Sequence, residues 1–295
     1  MTARARKKTK LIIFGDSKRR FVAEAVRRFT EFARGKAEVL ANCLERSCRK
    51  EVLRRVDFAV VFGGDGTILS AARDLAQTNV PVIGVNVGTL GYLAEFSIEE
   101  LEQLFERIVA DKSLISRRMV LQCCVQCANR RRYCSTAVND VVITAGPPFS
   151  LVELRVTIQQ QGLARCISDG LIICTPTGST AYNLSAGGPI LEAGISAIVV
   201  AALCPHSLSF RPIVISADHE LTVHAVRANP GTTVLLDGDV LCSLKGGDVI
   251  KVRKDRGAFL VVNNPMRSQW DTLANKLNWA GKPKYNMQKG TSNEK

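Results

Sequence analysis

No apolar run in this 295-residue chain approaches the roughly 20 residues needed to cross a bilayer. Its opening stretch, MTARARKKTK, carries charge where a secretory leader would carry an apolar segment, so the cytoplasm is the expected location and no membrane partner is expected. Acidic residues are in short supply: 27 Asp and Glu stand against 40 Lys and Arg, a net charge of +13. Such an excess suits polyanionic partners, whether nucleotides, nucleic acid or an acidic surface, without choosing among them. Much of it lies in Arg4, Arg6, Lys7, Lys8 and Lys10 and in the run Arg130, Arg131, Arg132. No aromatic platform is interleaved with either run, so a solvated tail and a turn are favoured over nucleic-acid binding. Internal repeats and low-complexity linkers are also missing.

The length favours two compact units, each burying its own core. Ten cysteines are scattered through a chain with enough bulk for such cores, which favours reduced thiols acting as packing atoms. Cys123, Cys124 and Cys127, with Cys134 beyond, contain a C-x-x-C, yet MVLQCCVQC reads as a strand whose neighbouring side chains diverge; packing is favoured over a metal site.

KLIIFGD (10–16), DFAVVF (57–62) and VPVIGVN (80–86) read as buried strands. Between them, Phe21, Val22, Ala25, Val26, Phe29 and Phe32 recur at helical spacing, and a second helix is expected from Ile68 to Leu75. Alternating strands and helices argue for a parallel sheet covered on both faces. Ser97 and Glu100 form a capping box for a helix with an apolar stripe of Leu101, Leu104, Phe105 and Ile108. Beyond it the period becomes two: Val152, Leu154, Val156 and Ile158 alternate with polar residues, and Gln161 with Gly162 supplies a turn. RPIVIS, ELTVHAV, TTVLLDG, DVIKVRK and AFLVVNN read as further strands of a mostly antiparallel unit. A last helix with Trp270, Leu273, Leu277 and Trp279 must dock on the rest, and the tail from Lys282 is polar.

Within VVFGGDGTIL (60–69), a single carboxylate, Asp65, sits among Gly63, Gly64 and Gly66 where a buried strand ends. Bare glycines at the carboxyl edge of a parallel sheet let phosphate approach backbone N–H groups and the positive end of the next helix. A carboxylate there would repel phosphate unless it accepts a hydroxyl proton or holds Mg²⁺; the alternative is that Asp65 only caps the helix. A second glycine-rich stretch, SDGLIICTPTGSTAYNLSAGGPI (168–190), combines a carboxylate and several hydroxyls, and a helix is expected to start at Ser179.

Those two stretches, with NVGTLGYL (86–93), AVNDVVI (137–143) and CPHSLSFRP (204–212), resemble the NAD kinase family from about Lys10 to Trp279. GGDGT is shared with phosphofructokinases and lipid kinases of the diacylglycerol and sphingosine type, whereas TPTGSTAY with SAGGP is far more specific. The resemblance implies phosphoryl transfer from ATP, or polyphosphate, to the 2′-hydroxyl of the adenosine ribose of NAD, giving NADP with Mg²⁺ as helper. It implies an α/β N-terminal domain (1–100, a Rossmann-like parallel sheet completed by a C-terminal helix, 266–281), a β-rich NAD-binding domain (101–265) and a tail (282–295). Asp65 matches the catalytic aspartate; Gly63, Gly64, Gly66 and Thr67 would hold the donor phosphates. Asn139 and Asp140 match a pair on the adenosine, Asp169 an aspartate on the nicotinamide side, and Thr180, Ala181, Tyr182, Asn183, Leu184 and Ser185 the adenine wall. A homodimer or homotetramer is implied, with β-domain residues completing a neighbour's pocket.

The chain departs from the family's pattern in places. Asp140 stands where Glu is usual, Ile167 where many members carry a basic residue, and Asp239 where Gln follows Asp-Gly; some also carry a basic residue at the position of Ser70. His206 reads as structural or interface-forming, and His219 and His224 have no motif around them. A lipid kinase and a non-catalytic dinucleotide sensor are the rival readings.

Overall fold

The computed structural model describes residues 8–44, 48–88, 91–147 and 151–277. In chain order the first elements are β1 (Thr9–Gly15), α1 (Arg20–Ala33), β2 (Ala37–Cys43), α2 (Lys50–Leu53), β3 (Phe58–Phe62), α3 (Asp65–Leu75), β4 (Val82–Val85) and α4 (Ile98–Ala110). They are followed by β5 (Ile115–Gln126), β6 (Arg132–Ala137), β7 (Asp140–Thr144), β8 (Val152–Ile158), β9 (Gln161–Ser168), β10 (Gly170–Cys174) and α5 (Tyr182–Ser185). The chain continues through β11 (Ala197–Leu203), β12 (Ile213–Ser216), β13 (Leu221–Ala228), β14 (Thr233–Leu236), β15 (Asp239–Ser243), β16 (Val249–Val262) and α6 (Gln269–Leu277).

β2, β1, β3 and β4 pair in parallel in that order; β1, β3 and β4 are the buried runs without alternation expected when helices cover both faces, and β2, with no buried residue, is the edge strand. On one face Val22, Val26 and Phe29 of α1 meet Leu101, Phe105 and Ile108 of α4, with Phe29 5.6 Å from the Phe62 ring and 6.0 Å from Phe105. Each of these buried side chains contributes roughly 1.5 to 3 kcal/mol. Phe21, on the same apolar spacing, is 74% exposed because it falls off that face. α4 carries both halves of its capping box: Ser97 Oγ accepts from Glu100 N–H at 3.2 Å, and Glu100 accepts from Ser97 N–H at 2.8 Å.

The parallel strands are continuous with the β-rich part, because β16 lies beside β4 (Val261 with Val82) and then pairs antiparallel with β13 and β5. The second sheet runs β12-β11-β10-β7-β14-β15. Between the sheets, Val152, Leu154, Val156, Leu171, Ile173, Val223 and Ile250 share one core.

Several expectations are corrected. DVIKVRK and AFLVVNN form the single strand β16, whose register shift between Lys254 and Ala258 absorbs the Arg-Gly interruption. The β8–β9 turn sits at Gln159 and Gln160, both with positive φ (49° and 66°), and Gln161 is already paired with Ile158. A primed hairpin turn needs that backbone, and glutamine rarely advertises it. Cysteines are not all reduced: Cys43 is joined to Cys48, and Cys124 on β5 to its cross-strand neighbour Cys134 on β6. Cys123, Cys166, Cys174 and Cys242 are buried free thiols. Trp270 is 57% exposed rather than part of a buried stripe, and Trp279 and the tail lie outside the described residues. Among the described residues, no helix is long and apolar enough to cross a membrane.

Candidate active site

β3 is buried along its whole length and delivers the chain to Gly63 at the carboxyl edge of the parallel sheet. Gly63 has φ +153°, and a β-carbon there would lie 2.4 Å from Thr67 Oγ1, so glycine is required. Gly64 is the N-cap of α3 and, like Gly66, has nothing within 4 Å of where a side chain would start. Both line a cleft of about 1080 Å³ together with Thr67, Ser70, Arg73 and Asp74. Its other wall is the end of β1, where Gly15 pairs with Phe62, followed by Asp16, Lys18 and Arg19. Exposed helix N–H groups, bare backbone and basic side chains converge on this space, a combination suited to a chain of phosphates.

The capping reading of Asp65 is corrected. Gly64 makes no side-chain cap bond, and Asp65 is the first residue of α3. Its carboxylate instead accepts three backbone N–H bonds: Oδ2 from Tyr92 at 2.9 Å, and Oδ1 from Leu93 at 2.9 Å and Ala94 at 3.1 Å. Those amides are aimed at Asp65 because the chain returns along β4, with Phe96 N–H donating to Gly84 and Asn86 N–H to Phe96. Gly91 makes this approach possible, since a β-carbon on it would fall 1.9 Å from Asp65 Oδ1. Lys276 of α6 completes the surroundings, its Nζ 3.8 Å from Oδ2 and 4.7 Å from the centre of the Tyr92 ring.

Asn139 and Asp140 enter β7 under the hold of Asp237, whose carboxylate accepts the N–H groups of Val138 (2.8 Å), Asn139 (2.7 Å) and Asp140 (3.1 Å). Asp237 and Gly238 form the β14–β15 turn, with φ of 50° and 87°. Asp239, beyond the turn, pairs with Arg73 of α3, so the departure from Gln ties this hairpin to the helix behind the glycine loop. The TPTGST stretch packs on the same segment: Thr175 N–H donates to the Asn139 carbonyl at 2.9 Å and Thr175 Oγ1 to the Val138 carbonyl at 2.6 Å.

Ser179 does not start a helix. Residues Thr177–Thr180 form a 3-10 turn in which the Ser179 hydroxyl donates to the Pro176 carbonyl and accepts from Leu191 N–H. Asn183 is buried and its amide donates to the carbonyls of Ser179 and Pro189, bracing the loop from within. Tyr182 is 46% exposed, leaving a ring face free to stack, with Ala181, Leu184 and Ser185 beside it on the turn and α5. Thr177 and Thr180 share a cavity of about 60 Å³ with Tyr92, Leu93, Glu95, Arg118 and Leu273, so the Asp65-holding loop and the TPTGST turn face one another under α6. Tyr92 Oη, Arg118 Nε and Thr177 Oγ1, all from residues lining it, are buried without a hydrogen-bond partner.

Asp169 stands apart. It precedes β10, whereas TPTGST follows it, and five residues of strand separate them by roughly 17 Å. His206 sits near that far end, its N–H bonded to the Ile167 carbonyl. Sequence reasoning missed Asp237, Gly91, Tyr92 and Lys276; the Asp-Gly turn and the glycine of GYL were visible signals for the first two.

Burial raises both members of the Asp140–Asp237 pair, but Asp237 has three N–H donors opposing that rise, so Asp140 is the one that keeps its proton, with its pKa pushed up to about 7. In the unfolded chain Asp140 releases that proton at lower pH, so stability falls as pH rises from the ordinary aspartate range to about 7 and then levels. Asp140→Asn is expected to remove this slope. Thermal melts should show the variant matching wild type near pH 4 and exceeding it at about pH 8, by a few kcal/mol at most.

A bare strand-to-helix loop over an open cleft of about 1080 Å³, with a carboxylate fixed beside the loop by backbone amides, is an arrangement suited to a kinase, an enzyme that moves a phosphoryl group onto a hydroxyl. The sequence matches the ATP-NAD kinase N-terminal domain over residues 6–113 and the ATP-NAD kinase C-terminal domain over 138–264. It is 33% identical over 273 residues to the NAD kinase of Rhodopirellula baltica, covering 92% of this chain and 88% of that protein. The NAD kinase of Methylibium petroleiphilum is 41% identical over 233 residues, 78% of this chain and 77% of its own. The chain belongs to the NAD kinase family. In fold it is similar to yeast NADH kinase complexed with NADH (TM-score 0.86, 24% identity, 96% of this chain and 91% of that one). It is also similar in fold to an Archaeoglobus fulgidus NAD kinase in complex with ATP (TM-score 0.73, 24% identity, 92% and 100% covered).

Proposed function

We propose that this protein transfers the terminal phosphoryl group of ATP, or of polyphosphate, to the 2′-hydroxyl of the adenosine ribose of NAD, making NADP. The observation that carries the reading is the Asp65 carboxylate, held by three backbone N–H groups beside a glycine loop that leaves the cleft open. Asp65 orients the ribose 2′-hydroxyl and takes its proton as the hydroxyl oxygen attacks phosphorus; the bond to the leaving ADP oxygen breaks, and the proton passes on to solvent. Gly64 and Gly66 hold the donor phosphates with backbone N–H groups and Thr67 with its hydroxyl, while Gly63, whose N–H is given to the Val85 carbonyl at 2.9 Å, shapes the turn that presents them.

Divalent metal fits this cleft as a companion of the donor. Mg²⁺ is held by one or two carboxylates plus substrate phosphates, and Asp16 and Asp74 line the cleft, while the described residues contain no cluster of three or more ligands. Bound there, it would neutralise phosphate charge. Asn139 and Asp140 contact the adenosine, with Tyr182 stacking on adenine and Thr180, Ala181, Leu184 and Ser185 forming the wall. Asn183 serves that wall from inside. Asp169, at the far end of β10, acts on the nicotinamide side of a neighbour's pocket, which requires a homodimer or homotetramer.

The test is direct. Incubated with NAD, Mg²⁺ and either ATP or polyphosphate, the purified protein is expected to form NADP, read by an NADP-specific dehydrogenase. NAD binding with no product from either donor would make it a sensor, and phosphorylation of diacylglycerol in place of NAD would make it a lipid kinase.

A further inference from the structure

α6 reaches the site from the end of the chain, and its docking does not depend on its lysine. Ser268 caps the helix, donating its N–H to Asp271 Oδ2 at 2.9 Å and accepting from Asp271 N–H at 3.1 Å. Thr272 and Leu273 are its buried anchors, and Arg267 just before it binds the Glu95 carbonyl and the Glu100 carboxylate. Lys276 extends from this fixed helix between the Tyr92 ring and Asp65 Oδ2. Among the described residues it is the only cation within 4 Å of that carboxylate. The pair's side chains are 25% and 31% exposed, so it is open enough to add little to stability and sheltered enough for its charge to matter locally.

We propose that Lys276 is a positioning residue for phosphoryl transfer. This rests on Asp65 being the group that engages the ribose hydroxyl. An anionic phosphoryl group arriving beside an anionic carboxylate repels it, most strongly as the new bond to phosphorus forms. The Lys276 ammonium, fixed against Tyr92, offsets that repulsion and holds Oδ2 toward the hydroxyl while the three backbone amides hold the carboxylate from behind. α6 is thereby part of the active site.

The test compares Lys276→Met, Lys276→Arg, Asp65→Asn and the Lys276→Met/Asp65→Asn double variant in the full chain, measuring NADP formation, KM for NAD and Tm. Lys276→Met is expected to lower kcat by about 10- to 100-fold with KM for NAD and Tm close to wild type, and Lys276→Arg to restore most of the rate. In the Asp65→Asn background, Lys276→Met should cost nothing further. Wild-type kcat in Lys276→Met, with Asp65→Asn inactive, would overturn the role of Lys276 and leave that of Asp65 standing. Full activity in Asp65→Asn would instead remove the premise. A loss in Lys276→Met that tracks a falling Tm, and that Lys276→Arg does not repair, would reduce the lysine to a structural contact.

Discussion

Asp65→Asn is expected to lower kcat for NADP formation by about 10²- to 10⁴-fold, the range a positioned acid–base group supplies. The asparagine fits the same space, so the loss is chemical. Its carbonyl oxygen can accept from Leu93 and Ala94 as Oδ1 does, but its NH₂ cannot accept from Tyr92 N–H in place of Oδ2. It also loses the ion pair with Lys276, which is open enough to add little, so the change costs about 1 to 3 kcal/mol, a modest fall in Tm that leaves the fold intact. NAD affinity, measured by calorimetry, should stay near the wild-type value, because the amide still meets the ribose hydroxyl.

Gly91→Ala should be nearly as damaging without removing any functional group. Its β-carbon would lie 1.9 Å from Asp65 Oδ1, so either the carboxylate or the amides that hold it must move by about an ångström. Displacements of that size cost roughly 10²-fold in rate when the moved group is engaged in the reaction. The control is Gly66→Ala, where the new methyl meets nothing within 4 Å and points toward open space. That variant should keep its Tm and its KM for NAD but show a raised KM for ATP, since the methyl stands where phosphate must come close to backbone.

Much of the fold was legible because it rests on local patterns. β1, β3 and β4 are apolar runs ending in Gly, Asp or Asn, and burial on both faces is what such runs specify. α4 was legible through its capping box. β16 was misread as two strands because Arg256 and Gly257 break the alternation; only the partner strand β5, far away in sequence, fixes it as one. The β8–β9 turn was misplaced because Gln159 and Gln160 adopt a backbone that glycine or asparagine usually signals.

At the site, the glycine loop could be read from residue types, since only glycine leaves backbone bare. The surroundings of Asp65 could not. Its three donors are main-chain amides of Tyr92, Leu93 and Ala94, and a main-chain amide has no sequence signature. Lys276 approaches from the last described helix, where helical spacing announces apolar residues and says nothing of a lysine between them. For Asn183 the motif named the segment but not the direction of the side chain, whose amide bonds inward to Ser179 and Pro189 within the loop.

The most direct measurement is a crystal structure with NAD bound. The ribose 2′-hydroxyl is predicted within hydrogen-bond reach of Asp65 Oδ2, about 3 Å, on the side that faces the glycine loop. A well-ordered dinucleotide whose 2′-hydroxyl points away from Asp65, with the carboxylate engaged only by Tyr92, Leu93 and Ala94, would contradict the mechanism.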